Sequence, residues 1–105
     1  MPMTVAEITK QALDMTGLTQ DKFAEKLTQS LVNTGINRVS VSYWLNNKYS
    51  PETDTLLVIY GAYTDWRREW AAACLAAKLP EVFDRDSRGR LVLLASSYLP
   101  KLKTE

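Results

Sequence analysis

The sequence predicts an all-α domain of five helices followed by a short C-terminal extension. Three observations carry this. The chain has 105 residues, 46% hydrophobic and 24% charged, which suits one domain with its own core. Apolar residues recur at helical spacing through most of the first eighty positions. Each periodic stretch is preceded by a capping residue or closed by a stop signal.

The first helix is read from "TVAEITKQALDMTG", residues 4–17. Thr4 and Glu7 have capping-box spacing. Val5, Ile8, Ala12 and Met15 share one face, and Gly17 is a natural stop. The second, "LTQDKFAEKLTQSLVNTG", starts at a Thr19 cap with Asp21 in its first turn. Phe23, Leu27 and Leu31 extend one stripe, so this helix is expected to be elongated, ending at Asn33, Thr34 and Gly35. The other reading makes "TQSLVNT" a bulged loop. Asn37 caps a third helix, with Val41, Trp44 and Leu45 on one side and Arg38, Val39, Ser42 and Tyr43 towards the other. Asn46 and Asn47 tolerate a left-handed exit. Ser50 and Pro51 open a fourth helix, whose buried side is Leu56, Leu57, Ile59, Tyr60 and Tyr63. A fifth starts at Thr64 or Asp65 and stops at Pro80.

Residues 1–80 therefore form the predicted domain and 81–105 an extension. In the extension, Val82 and Phe83, a turn through Arg88 and Gly89, and "LVLL" make a small β-hairpin. Alternatively, Leu91, Leu94, Ala95 and Tyr98 share a helical face. The hairpin is the reading preferred.

Composition excludes several function classes. The chain has no histidine and one cysteine, Cys74, so it lacks the commonest general base and metal ligand and cannot close an internal disulfide. Cys74 lies in "WAAACLAAKL" and reads as small packing filler. Asp84 and Asp86 lie in a charged turn and read as solvated. No catalytic residue, metal or cofactor is expected. Neither a leader-like N-terminus nor an apolar run of spanning length is seen, so a cytoplasmic protein away from membranes is expected. A formal net charge of +1 argues neither for nor against nucleic acid.

The stretch "INRVSVSYWLNNKYSP", residues 36–51, is distinctive. No Asp or Glu occurs between Glu25 and Glu52. An α-helix fits the major groove of B-DNA, where phosphates on both walls disfavour carboxylates. Arg38 suits guanine, Val39 and the Tyr43 ring suit a thymine methyl, and Ser42 suits several base edges. Gln20, Asn47, Lys48 and Tyr49 are placed for phosphates. The bland readings are a solvated Arg38 and a Tyr43 packed on the Tyr49 ring.

"TQDKFAEKL", "GINRVSVSYWLNNKYSP" and "ETDTLLVIY" together resemble the Cro/repressor-type (XRE-like) helix-turn-helix. The likeness spans roughly residues 4–63 and is best over 35–51. It implies a lambda-repressor-like domain with its recognition helix at about residues 38–46. By that likeness Arg38, Val39, Ser42 and Tyr43 face bases. Asn37 caps the helix and touches phosphate, Gln20, Ser40, Asn46 and Lys48 touch the backbone, and Val41 and Trp44 are core. Two departures stand out. Asn47 replaces the usual exit glycine. Ala24 and Gly35 are eleven residues apart, longer than the family's spacing by about seven, close to two helical turns.

The expected function is that of a sequence-specific transcriptional regulator, a repressor, on double-stranded DNA. The resemblance implies homodimers on pseudo-palindromic operators. Tyr63, Trp66, Trp70, Ala73, Cys74 and Ala77 form the candidate dimer stripe, with ordinary core as the other reading. Arg67 and Arg68 read as solvated or reaching flanking phosphate. The alternative function is a protein-interaction module on the same frame, as in an antitoxin or a phage regulator.

Overall fold

The order of elements follows from where the caps sit. The computed structural model describes residues 3–31 and 35–93. It contains α1 (Val5–Thr16), α2 (Gln20–Thr28), α3 (Arg38–Leu45), α4 (Thr53–Ala62), α5 (Trp66–Lys78), β1 (Phe83–Arg85) and β2 (Leu91–Leu93). The chain is mostly helical, and an antiparallel two-stranded sheet stands where the hairpin was expected, with Phe83 opposite Leu93 and Arg85 opposite Leu91. Of the competing helical reading, Leu94, Ala95 and Tyr98 lie outside the described residues. Among the described residues no helix is long and apolar enough to cross a membrane.

Helix α1 opens on a complete capping box. Thr4 Oγ1 accepts from the Glu7 amide and Glu7 Oε1 accepts from the Thr4 amide. It closes at Gly17, whose φ of 71° suits glycine. Its buried arc is centred on Thr9 and Ala12, because the Trp70 indole donates to Thr9 Oγ1 at 3.1 Å. Met15, expected in the core, falls beyond the edge of that arc and is 69% exposed.

Helix α2 is short, not elongated. Thr19 caps it as expected, and Phe23, Ala24 and Leu27 are buried. Continuation would require the Ser30 and Leu31 amides to bond to the Lys26 and Leu27 carbonyls. Those carbonyls are taken from elsewhere: Arg67 Nη1 donates to Lys26 O at 2.9 Å and Tyr63 Oη donates to Leu27 O at 2.9 Å. The Ser30 amide donates to Tyr63 Oη, and the Leu31 amide turns back to Thr28 O. Leu31 still packs on the core, but from outside the helix. Tyr63→Phe should therefore cost about 1–3 kcal/mol, because it leaves a buried carbonyl without its donor. Urea unfolding of the two proteins would measure the difference.

Helix α4 starts two residues later than Ser50 and Pro51 predict. Lys78 Nζ donates to the Pro51 carbonyl, and the first helical turn instead closes on Glu52 O. Leu56, Ile59 and Tyr63 turn inward with Tyr60 half-buried, but Leu57 is 40% exposed, so it leaves the predicted buried side.

Asp65 caps α5 by accepting from the Arg67 amide, and its carboxylate also accepts from the Arg67 side chain at 2.6 Å. The Arg67 hydrogen bond holds the Asp65 carboxyl below its ordinary value. What this pair adds to stability is present above that ordinary value and fades as pH falls through the lowered one. The Arg67 guanidinium also lies over the Tyr63 ring, 3.7 Å from its centroid. Arg67 is thus half-buried and engaged, neither solvated nor free for phosphate, while Arg68 covers the Tyr60 ring.

The centre of the core is aromatic. Trp70 meets Phe23 edge-on at 5.6 Å and Trp44 at a 34° tilt with centroids 5.5 Å apart, and Leu27, Leu56, Ile59 and Leu75 are fully buried around them. Phe83 brings the hairpin onto the same core, beside α5. Cys74 is buried and free, and burial pushes its thiol pKa well up, as expected of packing filler.

Candidate nucleic-acid interface

Helix α3 has two different faces because of how it starts and what it rests on. Asn37 Oδ1 accepts from the Ser40 amide at 3.1 Å, while Ser40 Oγ accepts from the Asn37 amide at 3.2 Å. This reciprocal cap fixes the first turn. Val41 and Trp44 then point inward, both nearly fully buried, and Trp44 lies on Trp70 of α5.

The opposite face is open. Arg38 is exposed, Val39 and Tyr43 are 47% and 38% exposed, and Ser42 is half-buried. These four expected base-facing residues are brought onto one side, consistent with their spacing. No acidic residue lies in the first turn of α3. Arg38 has no ion-pair partner among the described residues. The Tyr43 ring meets the Tyr49 ring edge-on at 5.1 Å, so the packed arrangement weighed from sequence is present and leaves both rings at the surface.

The expected phosphate-contacting residues divide. Asn37 is exposed, but its side-chain oxygen serves the cap. Ser40 does not fit the expectation: it is buried, and its hydroxyl is spent on the Asn37 amide and the Gly35 carbonyl. Asn46 turns its side-chain amide back to Ser42 O at 2.8 Å. Asn47 takes φ 57°, the left-handed exit that asparagine tolerates. The Lys48 amide closes on Tyr43 O, and its exposed side chain has no ion-pair partner among the described residues. Tyr49 is exposed, and Gln20 stands half-buried at the first position of α2.

The predicted dimer stripe also divides. Tyr63, Trp70 and Cys74 are buried in the chain's own core, and both polar handles of the aromatics are bonded internally. They form no outward stripe. Trp66, Ala73 and Ala77 remain half-buried. Sequence reasoning passed over Thr9 as a polar partner in the core and Arg67 as a tertiary anchor. A lone threonine on an apolar helix face was the available signal for the first; nothing local marks the second.

Among the described residues no group of three or more His, Cys, Asp or Glu side chains could hold a metal ion. Comparison of the chain with known families, with curated proteins and with solved structures gives no match.

Proposed function

We propose that the chain is a sequence-specific double-stranded DNA-binding transcriptional regulator, a repressor of lambda-repressor-like helix-turn-helix type, with α3 and its exit (residues 38–46) reading the major groove. One observation carries the reading: α3 is anchored by Val41 and Trp44 while Arg38, Val39, Ser42 and Tyr43 stand together on the outside without a carboxylate. That side offers a bidentate donor, a hydroxyl and apolar surface, the three contact types that distinguish bases. Lys48, Tyr49 and Gln20 flank it as positioning contacts to phosphate. The reading places two copies on a pseudo-palindromic site with half-sites about 34 Å apart.

Gel retardation on random genomic DNA tests it. Retardation should be strong at low salt and fall steeply as salt rises. Lys48→Ala should weaken binding to all sequences alike and flatten the salt slope by about one. Absence of any retardation at low salt would instead favour the protein-partner reading, which Leu57 and Val58, 40% and 51% exposed on α4, keep in play.

A further inference from the structure

With Tyr63, Trp70 and Cys74 turned inward, part of the expected dimer stripe survives as something different. An open groove of about 470 Å³ runs between α1, α5 and β1. Trp66 and Ala73 line it from α5, and Met15, with most of its surface in solvent, stands on its α1 side. The same groove carries Asp14 and Glu69 on the helices and Arg85 on the strand. None of these three has an ion-pair partner among the described residues.

We propose that this groove is where two copies of the chain meet. Met15 of each copy enters the groove of the other, and Arg85 of each pairs with Asp14 of its partner. A two-fold contact needs a surface complementary to itself. This one has an exposed apolar side chain next to an aromatic-lined hollow, and charges of both signs along the same groove that have no ion-pair partner among the described residues. Methionine suits the role, since its flexible thioether fills irregular gaps and packs well on aromatic rings. The inference deepens the homodimer part of the proposed function by naming its surface, and it rests on that part alone.

Sedimentation equilibrium on the full chain tests it. The wild type should be a dimer that dissociates on dilution. Met15→Glu should raise the dissociation constant about tenfold or more, as removal of a central apolar anchor does. Arg85→Asp and Asp14→Arg should each weaken the dimer severalfold. The double variant, with the charges exchanged, should return to within about twofold of wild type, which loss of fold would not produce. Near-ultraviolet circular dichroism of the tryptophans checks that each variant is folded. A wild type that stays monomeric at high concentration overturns both the surface and the homodimer. A dimer that ignores Met15→Glu and Asp14→Arg but is broken by Leu57→Glu with Val58→Glu overturns this surface alone. DNA retardation, measured separately, leaves the DNA reading to stand or fall by itself.

Discussion

Trp70→Ala is expected to remove a large part of the chain's stability and leave it marginally folded at physiological temperature. The substitution empties the centre of the core, where the indole touches Phe23 and Trp44 and donates to the buried Thr9 hydroxyl. Truncations of this kind cost about 3–5 kcal/mol, against a whole stability of about 5–15 kcal/mol for most domains. Trp70→Phe retains much of the ring volume but leaves Thr9 without its donor, and should cost about 1–3 kcal/mol. Urea denaturation followed by far-ultraviolet circular dichroism would rank the two. A cost for Trp70→Ala no larger than that of Trp70→Phe would mean that the indole is not the centre of packing. Because Trp44 of α3 rests on Trp70, the proposed DNA binding should fall together with stability.

Arg38→Ala should do the opposite: little to the fold, much to recognition. The side chain is exposed and makes no hydrogen bond or ion pair shown for the described residues, so unfolding should shift within about 0.5 kcal/mol. Under the proposed function, losing a bidentate base contact costs about 1–3 kcal/mol, roughly fivefold to more than a hundredfold in affinity. It should also relax the preference at one base pair per half-site. Selection from a random DNA pool supplies the preferred sequence, and competition with single-base variants of it supplies the profile. Unchanged affinity and an unchanged profile would place the reading surface elsewhere than on the open side of α3.

The sequence was most informative where the physics is local. The Thr4–Glu7 box, the caps at Thr19 and Asn37, and the stop at Gly17 depend on residues a few positions apart and are found, as is Asp65, one of the two starts read for α5, whereas Ser50 does not cap α4. The two faces of α3 were legible for the same reason, since helical periodicity alone separates Val41 and Trp44 from Arg38, Val39 and Tyr43. What was not legible depends on distant partners. The end of α2 is decided by Tyr63 and Arg67, more than thirty positions along the chain. Met15 and Leu57 lie at the edges of apolar arcs, and only the position of the neighbouring helix decides on which side of the edge they fall. Tyr63, Trp70 and Cys74 had the spacing of a stripe, and spacing does not distinguish an inner contact from an outer one. Ser40 is the exception, since the Asn37 amide that its buried hydroxyl serves lies only three positions away.

The bonds from Tyr63 and Arg67 to the last turn of α2 act as a clasp from a distant part of the sequence. The Lys26 and Leu27 carbonyls are closed by residues of the α4–α5 corner, and only the Thr28 carbonyl by the chain that follows Ser30. The connection to α3 therefore carries only part of the work of ending α2. Residues can be added to or removed from such a connection at an entropic cost of only about 0.6 kcal/mol per doubling of length.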